Sequence, residues 1–133
     1  MIRLHPRHCA TLSFSPDDPV LAMHFDQKER LFVVGVTGAY IDPDVTLEGV
    51  RLELTAWTAL TIRKHGEEGG LPVIEHLPEE LSEICEFEIG DGTIRVAGFL
   101  RRAQGYFDLT FQNALLVVEC AGQRNVPSCE HTP

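Results

Sequence analysis

Between residues 84 and 120 apolar and polar side chains alternate in three successive runs. In the first, Cys85, Phe87 and Ile89 fall on one side and Glu86 and Glu88 on the other, the two-residue period of a half-buried strand. Gly90-Asp91-Gly92 supplies the positive-φ residues of a tight hairpin turn. Ile94 and Val96 then resume the apolar side while Thr93, Arg95 and Ala97 take the other, and Gly98 is a natural bulge position before Phe99 and Leu100. After a turn at Arg101-Arg102-Ala103-Gln104-Gly105, Phe107, Leu109 and Phe111 alternate with Asp108, Thr110 and Gln112. Asn113-Ala114 interrupts the pattern and Leu115 to Cys120 is nearly all apolar, which predicts a long last strand, bent near Asn113 and central at its end.

The same grammar runs upstream. Ala10, Leu12 and Phe14 alternate with Cys9, Thr11 and Ser13, and Ser15-Pro16-Asp17-Asp18-Pro19 is a strong turn signal. Leu21, Met23 and Phe25 mark a second strand, and Leu31 to Val36 a third. Residues 37–45, with Gly38, Pro43 and two Asp, are expected to form a long loop carrying Tyr40. Val50, Leu52 and Leu54 alternate with Arg51, Glu53 and Thr55, and Trp57 to Ile62 is β-prone. Pro78, Glu79 and Glu80, with Leu77, Leu81, Ile84 and Cys85 at helical spacing, predict a helix of about two turns. The expected fold is therefore all-β (minor α): a mainly antiparallel β-sandwich or partly open barrel of about seven or eight strands, with one short helix near 78–84. Residues 1–121 are expected to form a single β-rich domain and residues 122–133, with two prolines and little to bury, a mobile C-terminal tail.

A chain of 133 residues, 44% apolar, is long enough to bury roughly two thirds of its unfolded surface. No run approaches the roughly 20 apolar residues that span a bilayer, and the first residues lack the apolar core of a signal peptide, so the expected compartment is cytoplasmic. The net charge of −9 argues against nucleic acid, whose recognition needs clustered Lys and Arg. The charge is also unevenly spread. No Lys or Arg occurs between His65 and Ile94, whereas Glu67, Glu68, Glu75, Glu79, Glu80, Glu83, Glu86, Glu88 and Asp91 all do. Such a block either solvates an ordinary surface or steers a cationic partner toward one face.

Catalytic signatures are sparse. There is no Gly-x-Ser-x-Gly elbow, Walker loop, Gly-x-Gly-x-x-Gly or His-Glu-x-x-His. Cys85 or Cys120 with His24, His65 or His76 offers thiol–imidazole combinations, and nothing selects one. Four cysteines without a Cys-x-x-Cys pair read as free thiols in a reducing compartment. No metal or cofactor is assigned. The weak candidates for zinc are His5, His8 and Cys9 near the start with Cys129 and His131 near the end, if the termini meet. Asp42, Asp44 and Glu53 have the spacing of a calcium loop, but Leu47 stands where that loop needs Gly.

Leu4-His5 before the first strand, the run Glu48-Gly49-Val50-Arg51-Leu52-Glu53-Leu54, and the strand succession from Cys85 to Val118 resemble small all-β bacterial immunity proteins of polymorphic toxin systems and their relatives. The resemblance implies stoichiometric binding to a toxin domain with no chemistry of its own. The residues expected to meet such a partner, a protein with a basic surface, are Glu75, Glu79, Glu80, Glu83, Glu86, Glu88 and Tyr40. The competing readings are a small-ligand-binding β-barrel or sandwich and an enzyme with an unrecognised site.

Overall fold

A computed structural model describes residues 1–41, 44–65, 73–102 and 105–125. They form an all-β sandwich with the strands β1 (Ile2–Arg3), β2 (Leu12–Ser13), β3 (Val20–Asp26), β4 (Leu31–Ile41), β5 (Val45–Thr55), β6 (Ala59–Lys64), β7 (Val73–Ile74), β8 (Leu81–Ile89), β9 (Thr93–Leu100), β10 (Tyr106–Gln112) and β11 (Leu115–Asn125). Sheet I has the order β1-β11-β5-β4-β2, with β3 also on β4, and sheet II the order β7-β6-β10-β9-β8. Every described pairing is antiparallel and neither sheet closes into a barrel. Among the described residues no helix is long and apolar enough to cross a membrane.

The two-residue period fills the space between the sheets. Phe32, Val34, Leu52, Leu54 and Val118 point inward from sheet I, and Ile62, Ile84, Val96, Leu109 and Phe111 from sheet II, each at most 2% exposed. Burying a side chain of this size contributes about 1.5–3 kcal/mol. Phe111 is the hub of the aromatic part, its ring centroid 4.9 Å from that of Trp57 and 5.4 Å from that of Phe32.

Several elements differ from their sequence-based expectation, each for an identifiable reason. There is no helix at 78–84: residues 78–80 form a bend and β8 starts at Leu81, opposite Leu100 of β9. Pairing with a full-length neighbour satisfies more backbone groups than two turns of helix could. The described helical residues are instead a 3-10 turn at Pro6–Cys9, where Pro6 opens the turn and His5 Nδ1 accepts from the Arg7 backbone N–H. That turn buries Cys9 and exposes Ala10, the reverse of the alternation expected there. Residues 37–41 and Val45 of the expected loop belong instead to the distal half of a long β4–β5 hairpin, with Tyr40 opposite Thr46. Asp42 and Pro43 lie outside the described residues.

Asn113 marks a change of sheet rather than a bend in one strand, for β10 belongs to sheet II and β11 to sheet I. Its φ is 56°, matched by Ala56 at 56° where the chain leaves β5 for β6. The two switches are tied together by Thr58 N–H donating to the Gln112 carbonyl at 2.8 Å and by Asn113 Nδ2 donating to Thr58 Oγ1 at 3.0 Å. The bulge expected at Gly98 is not in β9, which is regular there; the extra residue is on the facing strand β8, whose register shifts between Ile84 and Glu86. A Cβ on Gly98 would run into the Glu83 carbonyl, so the close approach requires glycine. β11 continues to Asn125, pairing Gly122 with Glu48 and Asn125 with Val45, four residues into the segment expected to be a tail. Residues 126–133 lie outside the described residues.

Candidate functional site

The turn at Gly90-Asp91-Gly92 folds β8 onto β9 with Glu88 directly opposite Arg95. The inward positions of this pair are apolar, so period two leaves Glu86, Glu88 and Arg95 on the outer face of sheet II. From β10, Asp108 and Tyr106 join them, alternating with buried Phe107 and Leu109. Arg95 spends all three guanidinium nitrogens here. Nε donates to Asp108 Oδ2 at 2.6 Å, Nη1 to Glu86 Oε1 and Glu88 Oε1 at 3.3 Å, and Nη2 to Glu86 Oε2 at 3.0 Å. Tyr106 adds a short hydrogen bond from its hydroxyl to Glu86 Oε2. Its ring stands edge-on to His65 at 4.7 Å and to Phe99 at 5.1 Å, and Asp108 beside it is 8% exposed.

The ionisation of this cluster follows from its contacts. Hydrogen bonds from Arg95 and then Tyr106 hold the Glu86 carboxyl below the usual carboxylate range. The hydrogen bond to Glu86 leads in pushing the Arg95 guanidinium up, and burial followed by Glu86 pushes the Tyr106 phenol up. His65 Nε2, 3.9 Å from Asp108 Oδ2, is beyond hydrogen-bond reach. A guanidinium that has spent four of its five N–H donors on three carboxylates is a poor site for an incoming anion. The cluster's work is to fasten β8, β9 and β10 together.

The acidic block that is continuous in sequence thus divides in space. Glu86 and Glu88 are tied to Arg95, and Glu83 lies partly buried opposite Phe99. Glu75, Glu79 and Glu80 sit in the bend between β7 and β8, on the flank of the sandwich beside β3. There Arg102 N–H donates to Glu79 Oε1 at 2.9 Å, and Arg101 lies 3.8 Å from Glu80 while its Nη2 donates to the Val20 carbonyl at 3.0 Å.

Between β3 and this bend lies an open recess of about 390 Å3, lined by Met23, His24, Phe25, Gln27, His76, Leu77, Glu79 and Glu80. Gln27 braces it, its Nε2 donating to the Glu75 carbonyl at 3.1 Å and its Oε1 3.1 Å from His76 Nδ1. Leu81 N–H reaches Met23 Sδ at 3.5 Å, which fixes the thioether as part of the floor. The lining is mainly polar, with Met23, Phe25 and Leu77 as its apolar floor and Glu79 and Glu80, each in contact with an arginine, at the rim; the Glu80 side chain is 53% exposed.

Tyr40 stands on β4 with its hydroxyl donating to Asp18 Oδ2 at 2.8 Å, and Thr37 Oγ1 donates to Asp18 Oδ1 at 3.0 Å. The hydrogen bond to Asp18, then burial, pushes the Tyr40 phenol up. This residue clamps the turn between β2 and β3, so its polar end is already engaged.

The zinc candidates are only partly placed. Cys9 is 2% exposed with Sγ donating to the His5 carbonyl at 3.7 Å, and burial pushes its thiol up. The His5 and His8 rings are 6.0 Å apart, and Cys129 and His131 lie outside the described residues. No three His, Cys, Asp or Glu among the described residues are placed to hold a metal ion. Burial likewise raises the Cys85 and Cys120 thiols, Cys85 further through Glu83 and Glu86, which disfavours the thiolate a nucleophile needs.

Alternation foretold which way Glu86, Glu88 and Arg95 point. It gave no sign of the recess, whose walls come from segments some fifty residues apart, as the 49-residue separation of Gln27 and His76 illustrates. Comparison of the chain with protein-family models, curated proteins and solved structures finds no match.

Proposed function

We propose that this chain is a non-catalytic protein-binding domain that engages a partner with a basic surface, in the manner of an immunity protein neutralising a toxin by stoichiometric contact. The observation that carries this reading is the recess between β3 and the β7–β8 bend, with its apolar floor and the Glu79 and Glu80 carboxylates at the rim. A lysine or arginine side chain has that complementary form, an aliphatic stem below a charged head. Exposed Glu75 lies beside the recess and adds to the local negative potential. Glu80 is held only loosely, 3.8 Å from Arg101, and exchanges that contact for an incoming cation at small cost. Glu86 and Glu88 support the surface without supplying it, because both are hydrogen-bonded to Arg95 and held to the sheet face.

The test is affinity capture from the native host at about 0.1 M salt, where screening is modest, using the unaltered chain, the Glu79→Lys/Glu80→Lys variant and Glu88→Gln. One basic protein retained in stoichiometric amount by the first and third, and released roughly tenfold or more by the charge reversal, supports the reading. Equal retention by all three would exclude the recess as the contact.

A further inference from the structure

The outer face of sheet I is built differently from that of sheet II. Its strands pair in rows that run Leu31, Thr55, Leu115, then Val33, Glu53, Val117, then Gly35, Arg51, Glu119. Their inward neighbours Phe32, Val34, Leu52, Leu54 and Val118 are at most 1% exposed, so these residues face outward. Leucine and valine stand where a solvated sheet face normally carries polar side chains. Leu21 from β3 is 66% exposed and Leu115 63%. Ala22, Gly35, Gly49 and Ala121 are too small to fill the surface, and they leave an open apolar groove of about 440 Å3 beside Leu21.

Across this face runs one chain of charges. Arg3 lies 3.8 Å from Glu119, Arg51 lies 3.4 Å from Glu119, and Arg51 lies 3.2 Å from Glu53. Two cations and two anions leave that chain formally neutral on a protein of net charge −9. A basic partner gains nothing there. Arg3, Glu119 and Arg51 stand side by side in one cross-strand row with Glu53 in the next row of β5, so a two-fold axis midway between Glu119 and Arg51 lays each of these two over its opposite in a second copy. Such antisymmetry is what an isologous contact between identical surfaces requires.

From this we infer that the outer face of sheet I is the interface of a homodimer, with the groove over Gly35 receiving apolar side chains of the second copy. The size is adequate. Strands β3, β4, β5 and β11 at about 4.8 Å spacing, over about ten residues, make a face of roughly 650 Å2, close to the roughly 800 Å2 per partner of a standard stable interface. Two sheets packed face to face also bury their apolar positions in the ordinary way of a sandwich. The arrangement leaves sheet II exposed in both subunits and does not depend on the function proposed for the recess.

Sedimentation equilibrium of the full chain, from micromolar concentrations to about 1 mM, tests it. The expected mass is twice 14.8 kDa, kept at 0.5 M NaCl. Leu21→Glu and Val33→Asp, both outward-facing, are each expected to halve the mass while the thermal unfolding transition stays cooperative. A mass of 14.8 kDa for the unaltered chain throughout the range, or a dimer that survives both substitutions, overturns the inference. Should either variant fail to fold, Glu119→Arg reads the same interface: it lays like charges over each other across the two-fold, and an unchanged dimer constant there also counts against it.

Discussion

Arg95 Nε lies 2.6 Å from Asp108 Oδ2, a diagonal contact between β9 and β10 that keeps an 8% exposed carboxylate compensated on the outside of sheet II. Truncating one member of such a pair leaves the other uncompensated, which costs more than losing both. Arg95→Met is therefore expected to lower unfolding stability by about 3 kcal/mol. Arg95→Met/Asp108→Leu should recover at least half of that loss. Urea unfolding of the three proteins checks the order, and a double variant no more stable than Arg95→Met would show that Asp108 is compensated elsewhere.

Acid should loosen the same cluster. The Glu86 carboxyl is held below its ordinary value of 4.5 in the folded chain, chiefly by Arg95. Its contribution is thus fully present above pH 4.5 and is lost as pH falls through the folded value. The urea midpoint should drop more between pH 6 and about pH 3 for the unaltered chain than for Glu86→Gln. Parallel decreases in both would place the acid sensitivity at other carboxylates.

Alkaline titration reads the two tyrosines, the full complement of the chain. Both phenols are raised from 10.0, Tyr40 by Asp18 and Tyr106 by burial and then Glu86. A raised folded value means that the contribution is complete below pH 10 and disappears as pH rises through the folded value. Phenolate absorbance at 295 nm should stay low at pH 10, where a free tyrosine is half ionised, and appear together with unfolding. Half-maximal absorbance at pH 10 in a folded chain would contradict both hydrogen bonds.

The sheet-switching residues give a test of the fold. Asn113→Ala removes the Nδ2 bond to Thr58 and places a poorer residue at φ 56°, at an expected cost of about 1–2 kcal/mol. Gly98→Ala should cost more, since β8 must move away from the Glu83 carbonyl contact. Thermal or urea unfolding ranks the two, and a neutral Gly98→Ala would mean that β8 is not seated against β9 as described.

Strands were legible wherever one face is buried, because period two then fixes every side chain, as at Phe107, Leu109 and Phe111. The hairpin turn at Gly90-Asp91-Gly92 was legible too, whereas the pairing of Glu88 with Arg95 that it sets emerges from the structure. Illegible were features decided by partners distant in the chain. The 77–85 stretch has helical spacing, yet from Leu81 onward β9 claims it as an edge strand. Asn113-Ala114 looks like any strand interruption, and only the sheet order shows that the chain changes layer there. The charge block looks like one face in the sequence because its partners Arg95, Arg101 and Arg102 all follow it and meet it only through pairing of β8 with β9.

The recess beside β3 is where binding can be observed without knowing the partner. Butylguanidinium, which mimics an arginine side chain, can be titrated into isotope-labelled protein and followed by NMR, with a dissociation constant on the order of 1 mM for so small a ligand. Saturable shifts centred on the Met23 methyl, Leu77 and His76, weakened several-fold in Glu79→Gln/Glu80→Gln, are the expected result. Shifts that are absent, that never saturate, or that centre on Glu86 and Glu88 would contradict a recess made to hold a basic side chain.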